Sequence, residues 1–193
     1  MSRLPLFHPD ALDASQRELY DAITNGPRAA EPPWFALTDE AGRLAGPFNA
    51  MLVAPPLGTA LQGLGAAIRY ATTLSPRVRE LAILAVAAHW DCAFERHAHE
   101  PIARAHGITE EQLGSLRSRF VPELDDAGEH AALRLVFALL RDGDADDDTY
   151  TDAASTLGDR MVFELTTLVG YYATLALQLR AFRIAAPAED GPA

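Results

Sequence analysis

From Leu81 to Ala88 every residue is apolar, and this run forms one half of the stretch Ser75–Gly107 that organises the chain. Ser75 supplies an N-cap and Pro76 suits the first helical position, so a helix opens there. A helix apolar on all sides is expected to be buried on most of them. Apolar spacing places other helices over 13–24, with Leu12, Leu19, Tyr20 and Ile23 inward, and over about 56–73, with Leu57, Leu61, Leu64 and Ile68 on one face. Thr109-Glu-Glu-Gln112 is a capping box opening a helix to about Phe120, which Pro122 ends. A further helix starts at Asp125 or Asp126 and buries Ala132, Leu135, Val136, Leu139 and Leu140. The acidic turn after it caps a helix near 147–157. A last helix, Asp159 to Ile184, carries a seam from Val162 to Phe182, with Tyr171 and Leu177 beside it. No strand-like alternation of any length is present. The expectation is an all-α fold, a compact bundle of about seven to eight helices.

Two segments fall outside this pattern. Residues 25–47 form a long stretch rich in Gly, Pro and Ala, where Trp34 and Phe35 either anchor the loop or cap a pocket. Residues 185–193 read as a frayed tail. The chain is therefore expected to be one domain: an N-terminal helix and loop over 1–47, a core over 48–184 and the tail. Gly63-Leu-Gly65 lacks the preceding strand and third glycine of a dinucleotide loop, and is expected to admit a neighbouring helix closely.

Candidate chemistry concentrates in the organising stretch, which holds the sole cysteine and four of six histidines. Glu80 stands beside the apolar run, where a carboxylate must be paired, hydrogen-bonded or protonated. Either it serves a proton relay or it pairs with Arg77 or Arg79. With Cys92 as origin, Glu95 lies at about −60° and His99 at about −20° on a helical wheel. Glu95 and His99 are an i,i+4 pair able to touch. A carboxylate, an imidazole and a thiol on one face suit proton transfer; the bland alternative is an exposed ion pair beside a buried apolar cysteine. His89 and Trp90 mark the helix junction and are candidates to line a pocket.

Metal chemistry is not expected. His97 and His99 point about 200° apart on a helix, and His99 and His106 are about 10 Å apart. Asp142 to Asp148 lacks the glycine and glutamate of a calcium loop. Glu80-Leu81-x-x-Leu84 recurs as Glu164-Leu165-x-x-Leu168, too short a match to establish duplication.

The segment Arg79-Glu80-Leu81-Ala82-Ile83-Leu84, then Cys92-x-x-Glu95-x-x-x-His99, then Ala103-x-x-x-Gly107, resembles the carboxymuconolactone decarboxylase and alkyl hydroperoxidase D superfamily. Gly46-Pro47-Phe48 is similar to the family's Gly-Pro-aromatic segment, and Glu164 through Tyr172 to its closing helix, so the resemblance covers about residues 40–183. It implies catalytic roles for Glu80, Glu95 and His99, with Cys92, His89 and Trp90 as candidate substrate-binding residues and no cofactor. It also implies a ring of subunits, a trimer or hexamer, with the last helix in the contact. The peroxidase branch carries Cys-x-x-Cys, whereas Glu95 replaces the second thiol here, which points to the decarboxylase-like branch. Arg96 stands where such relatives often have an aromatic residue, so the substrate stays open.

The leading expectation is a lyase-type enzyme doing proton-transfer chemistry on a small carbonyl or carboxylate compound. The alternatives are a single-cysteine thiol peroxidase using Cys92 and a non-catalytic helical oligomer with a small-molecule pocket. The chain has 193 residues, with 16 basic against 27 acidic side chains and a net charge of −11, which speaks against nucleic acid or an anionic membrane surface as partner. Leu44 to Ile68 is uncharged, but its prolines and glycines read as loop plus helix rather than a membrane span. With no h-region at the N-terminus, a cytoplasmic location is expected.

Overall fold

The computed structural model describes residues 2–27 and 36–187. Trp34, Phe35 and the last six residues of the tail lie outside the described residues. A 3-10 turn, Pro9–Ala11, precedes nine α-helices among the described residues: α1 (Ala14–Thr24), α2 (Gly46–Met51), α3 (Pro55–Tyr70), α4 (Pro76–His89), α5 (Ala93–Ala105), α6 (Glu110–Arg117), α7 (Ala127–Asp142), α8 (Asp147–Leu157) and α9 (Asp159–Ala181). The only extended pairing described is an isolated bridge between Thr38 and Leu44.

The caps form as the side chains dictate. Ser75 Oγ accepts from the Val78 N–H. Asp13 and Thr109 each close a capping box, with Gln16 and Gln112. Asp126 and Asp146 accept at the starts of α7 and α8. Each such cap is worth about 1 kcal/mol.

Helix α4 is the axis of the molecule, packed against α5, α6, α7 and α9. Every residue from Val78 to Ala88 is buried, and each large aliphatic side chain in that run contributes about 1.5–3 kcal/mol of hydrophobic stabilisation. The apolar run is thus surrounded rather than amphipathic. α9 is long and apolar enough by composition to cross a bilayer, yet half of its apolar window is buried within the bundle. Its seam buries Val162, Leu165, Leu168, Tyr171, Tyr172, Leu175, Ala176 and Leu179, while Phe163 and Leu177 face outward.

Several sequence expectations are corrected. α3 buries Gly58, Gly65 and Ile68, whereas Leu57 and Leu64 are exposed. Its packed face is set by small residues: a side chain at Gly58 would overlap the Met51 carbonyl, but Gly63 faces open space. α6 ends at Arg117, and α9 at Ala181, where Arg183 turns left-handed with φ of 53°. Asn49 is buried in α2 and ties down the N-terminal segment, accepting from the Phe7 N–H and donating to the Pro5 carbonyl.

Candidate active site

Glu80 projects from α4 towards α5 and is wholly buried. Its Oε2 lies 2.6 Å from His99 Nδ1. The other carboxylate oxygen, Oε1, is 3.5 Å from Arg79 Nε, and Arg79 is itself oriented by donating to the Arg69 carbonyl at 3.0 Å. Arg77 goes elsewhere, pairing with Glu129 at 2.7 Å. Burial opposes ionisation of Glu80, but the charge and hydrogen bond of His99, then the charges of Arg79 and Arg69, outweigh it and hold the carboxyl below its ordinary range. Glu80 is therefore an anion, and His99 Nδ1 must carry the proton between them.

That hydrogen bond leaves His99 Nε2 as the nitrogen not engaged by Glu80. Glu95 Oε2 stands 3.4 Å from it, close enough to exchange a proton through a small shift though long for a hydrogen bond. Tyr172 of α9 packs its ring edge-to-face against His99 at 5.5 Å, and Tyr171 does the same to Tyr172 at 5.1 Å. The imidazole is thus fixed by a carboxylate on Nδ1, faced by another on Nε2 and walled by an aromatic ring. Helical spacing alone brought Glu95 to His99. The 19-residue jump to Glu80 is made by the tight α4–α5 turn, in which Asp91 adopts φ of 48°.

Cys92 is the N-cap of α5 in an extended conformation, one residue outside the helix. It packs with Phe94, Ala98, Ala176 and Leu179. Burial first, and the Glu95 charge after it, push the thiol above its ordinary value; the Glu95 and Phe94 backbone N–H groups offset this only in part. A thiol so placed is a poor source of thiolate.

His89 lies away from the Glu80–His99 pair, whereas Trp90 packs against the cluster of Cys92, Phe94, Ala98 and Leu179. His89 is nine residues from Glu80 on α4, about 180° around the helix, and lines a cleft with Arg119, Val121 and Phe137. Trp90 C-caps α4, offers its ring edge to His89 at 5.2 Å and gives its carbonyl to Arg180 at 2.7 Å. Sequence reasoning missed the place of Tyr172 against His99, for which no local signal exists, and the orienting role of Arg69. Among the described residues no group of three or more His, Cys, Asp or Glu has the arrangement of a metal site. Glu164, the partner in the short repeat, is also buried, but it accepts from Thr73 N–H and Oγ1 and pairs with Arg160; it fastens α9 to the α3–α4 turn.

An all-helical bundle with a buried Glu-His-Glu cluster between consecutive helices defines the class. Residues 55–138 match the model of the carboxymuconolactone decarboxylase family, so this stretch of the chain is similar to that family. No curated protein matches the chain by sequence. Solved structures that resemble it include an uncharacterized peroxidase-related protein with an alkylhydroperoxidase AhpD core from Ralstonia eutropha JMP134 (TM-score 0.75, 14% identity, covering 97% of this chain and 93% of that one). A peroxidase-related protein from Silicibacter sp. TM1040 has TM-score 0.72 and 16% identity over 97% of this chain and 93% of that one. The debrominase Bmp8 has TM-score 0.69 and 15% identity over 95% of this chain and 91% of its own; a cysteine-to-alanine variant of it was solved with 2,3,4-tribromopyrrole. At these identities the likeness establishes the fold.

Proposed function

We propose that this protein is an acid–base enzyme of the decarboxylase-like branch, working without a cofactor on a small unsaturated carbonyl or carboxylate compound. The observation that carries the reading is His99, with Nδ1 on the buried anion of Glu80 and Nε2 facing Glu95. In a decarboxylation the electron pair of the breaking carbon–carboxylate bond moves into the conjugated carbonyl. Carbon dioxide leaves, and the resulting dienolate carbon takes a proton from His99 Nε2. Glu80 stabilises the imidazolium when His99 holds that proton, and the proton consumed is replaced from solvent by way of Glu95 to Nε2. An isomerisation uses the same groups, with His99 first removing and then returning a proton. General acid–base groups of this kind contribute about 10²–10⁴-fold.

The test is a screen of small lactone acids and β-keto acids for carbon dioxide release and solvent-deuterium incorporation. On the substrate found, His99→Gln is expected to lower kcat at least about 100-fold, and Cys92→Ser to leave it within a few-fold. The reverse ranking would reassign the chemistry to the Cys92 thiol. The burial and raised pKa of that thiol count against such a reading.

Assembly forms part of the same proposal. The outward face of α9 carries Phe163, Gly170, Thr174 and Leu177, exposed and uncharged over nearly four turns, which supports a subunit contact there. A trimer or hexamer is expected by light scattering at micromolar concentration, and Leu177→Glu is expected to shift it towards monomer. A stable monomer of the unaltered chain would refute this.

A further inference from the structure

A separate cleft of about 500 Å³ opens on the far side of α4 from Glu80. Its floor is Ala85, Val121, Phe137 and Leu140. Phe120, 69% exposed, stands in its wall. Two guanidinium groups, Arg119 and Arg141, line it, and no acidic side chain does. Arg141 is already held by Asp142 at 2.6 Å. Arg119 is different: its Nε donates to the Ala88 carbonyl at 3.0 Å, and no carboxylate among the described residues pairs with it. In a chain of net charge −11, that leaves a local excess of positive charge over an apolar floor.

The backbone makes the placement of Arg119 a costly one. Phe120 N–H donates to the Ser115 carbonyl and Arg119 N–H to the Leu116 carbonyl, both at 2.9 Å. These two bonds close α6 in a Schellman turn, whose left-handed residue is usually glycine. Here that residue is Arg119, at φ of 62°. The arginine at this left-handed position places its guanidinium on the cleft. Burial, and then the charge of Arg119, lower the pKa of His89, so the imidazole presents a neutral polar edge to an occupant.

We infer that this cleft binds a small apolar carboxylate, its anionic head on the Arg119 guanidinium and its apolar body between Phe120, Phe137 and Leu140. The volume falls within the range of small-molecule pockets, and a charge-assisted bond from arginine selects acid over amide. This site is distinct from the His99 cluster, so it goes beyond the proposed proton-transfer reading.

The experiment is calorimetric titration of the full chain with phenylacetate and with phenylacetamide as probes. Saturable binding of phenylacetate, at least tenfold tighter than of phenylacetamide, is expected. Arg119→Gly suits φ of 62° and should fold; it is expected to abolish the preference for the acid. His99→Gln is expected to keep it. Equal affinity for acid and amide, no saturable binding at millimolar probe, or an unchanged preference in Arg119→Gly would overturn the inference. A preference lost in His99→Gln but kept in Arg119→Gly would place the probe in the proton-transfer site, sinking the cleft inference while leaving the proposed function standing.

Discussion

Replacing Glu80 by alanine is expected to destabilise the protein by about 3–5 kcal/mol, because it strips a buried charge network of its anion and leaves the partners uncompensated. His99 Nδ1–H loses its acceptor at 2.6 Å and Arg79 loses its counter-charge. In a chain of this size the loss corresponds to a fall in Tm of about 6–20 °C. Glu80→Gln fills the space and can still accept from His99, so it should recover part of the loss. The two variants also differ from the parent in acid. The folded-state pKa of Glu80 is depressed below its ordinary value of 4.5, so its contribution is fully present above that value and is lost as pH falls from there through the folded pKa. Urea melts from pH 7 down to pH 3 should therefore show a shallower acid limb in Glu80→Gln than in the parent. Parallel acid limbs, or a Glu80→Ala variant within 1 kcal/mol of the parent, would show that the network contributes little.

Gly46→Ala is expected to be nearly as damaging, although it adds a single methyl group. Two independent costs meet there. Gly46 opens α2 with φ of 57°, a conformation that L residues rarely adopt, and its Cβ would overlap the ring of Phe94. That ring is 4% exposed and sits next to Glu95 in α5, so it has nowhere to swing. Left-handed strain costs about 1–3 kcal/mol and overpacking a further 1–3 kcal/mol, so a loss of about 3 kcal/mol or more is expected in the same melts. Relief of the clash by a second change, Phe94→Leu, should return part of that loss. Failure to do so would place the damage in the backbone alone.

The Glu80–His99–Glu95 cluster was legible to different depths. Ser75, Pro76 and the unbroken apolar run fixed α4 because caps and burial are local properties, and the same locality made Glu95 and His99 neighbours. The union with Glu80 was visible through family resemblance, since no spacing rule reaches across a helix junction. The Tyr172 ring on His99 joins residues 73 positions apart and leaves no periodic trace. Periodicity misled where small residues make the interface: α3 shows a leucine row, but the backbone at Gly58 approaches its neighbour so closely that the glycine side packs and Leu57 stays outside. Wheel geometry also assumed Cys92 to be helical, whereas as N-cap it turns aside to pack on Ala176 and Leu179.

The burial of α4 on every side carries a consequence for motion. Hydrogen-bonded amides in a fully packed central helix exchange with solvent only through global opening, whereas frayed ends and loops exchange through local excursions. The backbone that carries Glu80 is sealed from Val78 to Ala88, so its amides belong to the slowest class in the molecule. The anion that orients His99 is then built into the most persistent unit of the fold. Its placement is settled when the chain folds, and no later ordering cost is needed to hold His99 in place.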